Sequence, residues 1–196
     1  MKFSKAGYYA DFAVYLVLLG VLIRIGLTEH EWPQHFKWLV AVLAGAAVWT
    51  LIEYALHRFG FHQLPILSTL HGMHHEAPRA LLGTPSWLSL AVLGGLLFLP
   101  ALYLSSLNVA SGLTAGVILG YLWYGVLHHV VHHRRPRFIA ARVTVASHRH
   151  FRHHANAFGN FGVTTSFWDH VFGTVLEPAR TRRGHGGSSL KVGSSA

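Results

Sequence analysis

The stretch Gly112-Leu-Thr-Ala-Gly-Val-Ile-Leu-Gly-Tyr-Leu-Trp-Tyr-Gly-Val-Leu-His128-His-Val-Val-His132 carries no formal charge over a length close to that of a bilayer core. About 20 such residues, wound as a helix, cross the hydrocarbon layer, so residues 112–131 read as a transmembrane helix. The run ends in His128 and His132, four residues apart and therefore on one helical face. A helix grips a single metal ion with such a pair, as the His-Glu-x-x-His metalloproteases do. One segment thus carries both a membrane span and a candidate ligand pair at its end.

Three further apolar blocks precede it. Residues 8–27 hold Asp11 near one end and Arg24 near the other, residues 38–56 carry Glu53, and residues 87–107 are interrupted by Pro100. The chain is 52% apolar and only 12% charged, and its apolar residues come in blocks rather than amphipathic stripes. That pattern describes an all-α integral membrane protein with four transmembrane helices, not a soluble bundle. Ser105-Ser106-Leu107-Asn108 joins the third and fourth spans as a tight helical hairpin. Lys2 and Lys5 ahead of the first block imitate a signal peptide, yet no small-residue cleavage pattern follows, so the block reads as an uncleaved anchor. Residues 1–177 form a single membrane domain without internal repeats. Residues 178–196, basic and rich in Gly and Ser, are expected to be disordered.

Charge sets the orientation. Four spans place fourteen of the sixteen Lys and Arg residues on one side, leaving only Arg24 and Lys37 on the other. By the excess of positive charge in cytoplasmic loops, that side is the cytosol. The net charge of +9 then reflects attraction to anionic lipid. No nucleic-acid recognition motif accompanies it, so a nucleic-acid partner is not expected.

Ten of the seventeen histidines fall into four clusters: His57 and His62; His71, His74 and His75; His128 and His132; His150, His153 and His154. In each His-x-x-His-His the spacing is expected to present three imidazoles together on one helical face. His57 and His62, five apart, diverge on a continuing α-helix, so they either straddle a helix end near Gly60 or reach different ions. One ion in four- to six-fold coordination cannot use ten side chains, whereas a dinuclear site can. Histidine tracts that merely form a solvated surface or an accidental metal trap are contiguous and sit in tails. These clusters are separated by long apolar stretches and repeat one spacing. His30, His35 and His185 read as loop or tail residues and His170 as locally packed. His129, His133 and His148 lie about 100° around their helices from the ligand candidates. The topology puts all four clusters on the cytosolic face, in a helical cap held at the lip of the bilayer.

The chain has no cysteine, which excludes iron–sulfur clusters, thiolate-bound zinc and disulfides. Imidazole suits zinc, copper, iron and nickel alike, so ligand type leaves the metal open. Two outer partners and one neighbour suggest themselves. A ligating imidazole usually donates its other N–H to a carboxylate or carbonyl. Glu53 stands four residues before His57, and a carboxylate inside a span needs a partner; it supports His57 or a neighbouring histidine, or makes a helix–helix contact and snorkels to the interface. Tyr124 bears the same relation to His128, or anchors at the interface. Asp169 orients a C-terminal histidine or caps a turn.

His57-Arg-Phe-Gly-Phe-His62, His71-Gly-Met-His74-His75, His128-x-x-x-His132 and His150-x-x-His153-His154 resemble the histidine boxes of the fatty acid hydroxylase and sterol desaturase superfamily. The ending Asn160-Phe-Gly-Val-Thr-Thr-Ser-Phe-Trp-Asp169-His-Val-Phe-Gly-Thr174 is similar to its fatty acid and sphingolipid 2-hydroxylase branch. The resemblance covers about residues 50–177. It implies a membrane-bound oxygenase with two irons, or zinc in a purified protein, ligated by the ten clustered histidines. Such an enzyme hydroxylates a C–H bond of a lipid, expected to be a fatty acyl chain, with O2 and an external donor such as cytochrome b5 or ferredoxin. Hydroxylation of a sterol or carotenoid, desaturation, and a non-catalytic zinc transporter or sensor are the alternative readings. Gly125 and His129 stand where the family often has an Asp and a Tyr, and no fused cytochrome b5 domain is recognisable. Small size and Ala, Gly and Arg usage favour a bacterial inner membrane.

Overall fold

The computed structural model describes residues 4–28, 31–81, 83–133 and 141–177. The expected basic tail, His30, His185 and residues 134–140 lie outside these. Among the described residues, four helices are long and apolar enough to cross a membrane. They are α1 (Lys5–Thr28), α2 (Trp32–Ala55) extended by a π-helical turn over Leu56–Phe61, a third built from α4 (Ser86–Leu93), a π turn at Gly94–Phe98 and α5 (Leu99–Leu104), and α6 (Leu107–His133). Among the described residues there are three shorter helices: α3 (Pro65–Glu76), α7 (Ala141–Ala155) and α8 (Phe167–Val171).

The helix ends differ from the apolar blocks for a simple reason. The second helix begins at Trp32 rather than Trp38, because Gln34, His35 and Lys37 are tolerated in a first turn at the membrane surface although they interrupt an apolar run. Pro33 sits in that turn, where no backbone N–H is needed. The third span stops at Leu104, since Ser105 leaves the helical region at φ −142, ψ −117, and the hairpin bends there.

Small residues determine how the spans pack. Gly112, Gly116 and Gly120 recur every fourth residue along α6 and form a stripe against α2. A Cβ on Gly116 would lie 2.0 Å from the Val42 carbonyl oxygen, and one on Gly45 would lie 2.1 Å from that of Leu113. The two backbones therefore touch, as small-xxx-small helices in membranes do. Around this pair Tyr15, Leu19 and Leu22 of α1 join Val42, Ala115 and Ile118 in one buried cluster. Hydrogen bonds pin the neighbours: Trp38 Nε1 donates to Ser111 (3.2 Å) and Asn108 Nδ2 to the Gln34 carbonyl (2.9 Å). Asp11 accepts from Ser86 (2.5 Å) and Tyr121 (2.6 Å), tying α1 to α4 and α6. No residue of the Ser86–Leu104 span is buried within the protein; its apolar surface needs lipid around it.

The end of the bundle that carries the histidines is closed by α3, α7 and the segment 156–177. Val143 and Ala146 of α7 pack on Leu127 and Val131 at the end of α6, with Val163 completing the cluster. Asn160 takes the left-handed conformation (φ 55), which Asn tolerates better than most residues. Its side chain donates to the Arg149 carbonyl (3.2 Å) and accepts from the Leu176 amide (3.0 Å). The non-helical segment is thereby fastened directly beneath α7.

Candidate metal centre

His57 and His62 enter the site through a change of helical winding. In the π turn over Leu56–Phe61 the backbone bonds run from i to i+5, so two residues five apart come round to the same side. Their rings lie 5.4 Å apart and nearly parallel, at 22°. The helix does not end at Gly60, and the pair does not divide between two sites; both rings join one group.

That group comprises His57, His62, His71, His75 and His153, and a second comprises His74, His128, His132 and His150. Within each, one nitrogen per residue lies within 4.8 Å of all the others. The two His-x-x-His-His boxes do not each aim three rings at one point. His71 and His75, four apart, face the first group, and His74, about 100° around the helix from His75, faces the second. The last box divides likewise, with His153 in the first group and His150 in the second. His154 stands between them: its Nε2 is 3.1 Å from that of His150 and its ring stacks on His75 at 4.3 Å. Each His-x-x-His-His box therefore spans both groups. His129 and His133 stack on each other at 4.4 Å and belong to neither group. The same holds for His148, which is exposed, and for His170, which faces the Ser166 carbonyl (2.8 Å).

The donor set fits a pair of cations. Nε2–Nε2 separations are 3.1 Å for His57–His71, 3.0 Å for His71–His75 and 3.2 Å for His62–His153. In the second group His132–His150 is 2.8 Å. Neighbouring ligands at right angles around an ion with bonds of about 2.1 Å stand about 3.0 Å apart. Hydrogen bonds cannot account for the cluster, because one imidazole nitrogen carries either one proton or one lone pair. His71 and His150 each present a single Nε2 to two neighbours. Burial, reinforced by the adjoining imidazoles, pushes His74 down to about 4 and His153 and His154 to about 3, and also lowers His71 and His150. The rings of the cap are thus kept neutral, with lone pairs free to coordinate.

Behind the rings lies a layer of which the sequence pointed to Glu53, Tyr124 and Asp169 but not to the backbone carbonyls. His57 Nδ1 donates to the Phe161 carbonyl (2.5 Å) and His153 Nδ1 to that of Gly159 (2.8 Å). Glu53, which sequence spacing places beside His57, instead accepts from the amides of Val163 (2.6 Å) and Thr164 (3.0 Å) and from the Thr164 hydroxyl (2.5 Å). Its link to His57 runs through this segment. Asp169, fully buried, accepts from the amides of Phe161 (2.8 Å) and Gly162 (3.0 Å), from Thr174 Oγ1 (2.8 Å) and from Arg149 (3.0 Å). Tyr124 stacks on His128 with ring centroids 5.4 Å apart and planes at 17°. The cues in sequence were the turn-forming Asn160, Gly162 and Gly173, but backbone carbonyls have no residue signature.

A cavity of about 170 Å³ opens against the first, third and sixth helices. His71, His74 and His128 line it, together with the apolar Phe12, Leu67 and Leu70. Typical small-molecule pockets occupy roughly 300–1,000 Å³, so this cavity is smaller than most.

Four apolar helices with two convergent histidine groups at one end define a membrane protein of the histidine-box class. Residues 42–174 match the fatty acid hydroxylase family, and the chain belongs to it. It is 32% identical over 146 residues to the fatty acid 2-hydroxylase of Homo sapiens, covering 68% of this chain and 38% of that protein. Identity is 33% over 159 residues with the dihydroceramide fatty acyl 2-hydroxylase FAH2 of Arabidopsis thaliana, covering 68% and 60%. With the ceramide very long chain fatty acid hydroxylase scs7 of Schizosaccharomyces pombe it is 34% over 147 residues, covering 67% and 41%. The chain spans about two fifths of the length of the human and S. pombe relatives. A solved structure of full-length scs7p, in which only the hydroxylase domain is visible, superposes with a TM-score of 0.75 at 31% identity, covering 88% of this chain and 68% of that one.

Proposed function

We propose that the protein is a dimetal lipid hydroxylase acting on a C–H bond of a fatty acyl chain. The observation that carries this reading is the adjacency of the two histidine groups to the cavity, which brings a chain segment against His71, His74 and His128. His57, His62, His71, His75 and His153 would hold one ion, His74, His128, His132 and His150 the other, with His154 between. When bound, a pair of iron ions supplies the redox chemistry by which O2, two electrons and two protons turn C–H into C–OH and release water. Zinc bound by the same ligands would not supply that chemistry.

The chain's own residues do the rest. Phe12, Leu67 and Leu70 bind the methylenes and exclude water, and the Phe161 and Gly159 carbonyls orient the His57 and His153 rings. The histidines serve as ligands rather than proton carriers, since a coordinated lone pair is committed. The site faces the cytosol, where an external donor such as cytochrome b5 or a ferredoxin supplies electrons, and composition favours a bacterial inner membrane as its setting.

Expression in a host lacking the activity, followed by lipid mass spectrometry, tests the reading. A new acyl species heavier by one oxygen is expected with the wild type and absent with His74→Ala. Product that persists in the variant overturns the proposal. Products two hydrogens lighter, or an oxidised sterol or carotenoid, redirect it to another reaction of the superfamily.

A further inference from the structure

The two histidine groups differ in what stands behind them. In the first, the outer nitrogens of His57 and His153 donate to the Phe161 and Gly159 carbonyls. Those carbonyls belong to a segment that is itself held rigidly. Asp169 takes the amides of Phe161 and Gly162 and pairs with Arg149, while Glu53 takes those of Val163 and Thr164. In the second group the inward nitrogens of His132 and His150 meet at 2.8 Å, yet their outer Nδ1 atoms are buried without a hydrogen-bond partner, as is that of the adjoining His154. The contrast follows from topology. The first group backs onto the 159–164 segment, whose carbonyls point at it, whereas no comparable acceptor among the described residues lies behind the second.

We infer that the two metal sites are unequal: the His57 group holds its ion firmly, the His132 group holds an exchangeable one, and Asp169 is a positioning residue for the first. An outer hydrogen bond fixes a ligand's tautomer and ring orientation and raises its basicity, and removing such a bond typically weakens metal binding about 10–100-fold. An imidazole that coordinates through Nε2 must carry its proton on Nδ1. Where that N–H is buried with nothing to accept it, the bound state bears the cost of an unmade hydrogen bond. That cost falls on His132 and His150 and not on His57 or His153. A protein carrying one ion therefore carries it in the first group.

The inference rests on the dimetal reading, and metal release separates the two. Purified full-length protein in detergent is loaded with Zn²⁺, its content measured by elemental analysis, and then challenged with excess EDTA while a zinc indicator follows the loss. Two phases of similar amplitude are expected, the slower by at least about tenfold. His132→Ala should remove the fast phase and keep the slow one. Asp169→Asn keeps one acceptor oxygen but loses the one that serves Gly162 and Arg149. It should quicken the slow phase about 10–100-fold and leave the fast phase unchanged, with helix content by circular dichroism unaltered. A single phase in the wild type overturns the inference without any variant, and so does an Asp169→Asn protein in which both phases quicken equally. Uptake of fewer than two ions by the wild type overturns the dimetal reading itself.

Discussion

A histidine that is buried among other histidines can hold a cation only while it remains uncharged, and His153 and His154, pushed from 6.5 to about 3, do so across the physiological range. The same shift ties stability to pH. Below about pH 6.5 an unfolded chain takes up protons on these residues, whereas the folded chain does not until about pH 3. Because the unfolded state then binds more protons, the metal-free fold is at full stability above pH 6.5 and loses stability steadily as the pH falls toward 3. His74, pushed down to about 4, adds to the effect over most of that window. Metal-stripped protein is therefore expected to melt at a clearly lower temperature at pH 5 than at pH 7.5, followed by circular dichroism in detergent. Identical melting temperatures would mean that the rings are not buried together as described. The ten clustered histidines could be picked out from spacing alone, because ligand type and i,i+4 periodicity survive in a one-dimensional string. Their division into two groups could not, because His74 and His75 are neighbours in sequence and face different groups only once α3 is docked.

At the scale of elements, the four spans could be read from the chain, but the manner in which they pack could not. Hydropathy registers Gly112, Gly116 and Gly120 as mildly apolar filler, whereas the structure uses them as the surface on which α2 and α6 meet backbone to backbone. Gly116→Val places a branched side chain where a Cβ alone would sit 2.0 Å from the Val42 carbonyl. Overpacking of a well-filled interface costs about 1–3 kcal/mol, and a backbone oxygen cannot move aside as a side chain can. The variant is expected to unfold at lower temperature in detergent and to hold less metal, since α6 carries His128 and His132. Gly20, with open space around it, provides the control, and Gly20→Ala should leave the melt unchanged. Equal melts for the two variants would remove the close approach from the account. The π turn at Leu56–Phe61 was hidden for a related reason. Five-residue spacing reads as divergence on an α-helix, and only the observed winding turns it into convergence.

For the whole molecule, orientation is the property that joins charge, membrane and chemistry. The described spans put the start of α2 at one end of the bundle and α3, α7 and both histidine groups at the other. Among the described residues Lys5, Arg58, Arg79, Arg149 and Arg152 belong to the histidine end and Arg24 and Lys37 to the other, and an excess of positive charge marks the side expected to face the cytosol. The absence of cysteine makes this directly measurable, because any introduced thiol is the only one present. Glu31 and Glu76 are both exposed, one at each end of the bundle. In intact cells, a membrane-impermeant maleimide is expected to label Glu31→Cys and to spare Glu76→Cys until the membrane is permeabilised. The reverse pattern would place the histidines outside, away from any cytosolic reductant, and a hydroxylase fed by a cytosolic electron donor could not work in that orientation. Labelling of both positions before permeabilisation would mean that the chain does not span the bilayer as four helices.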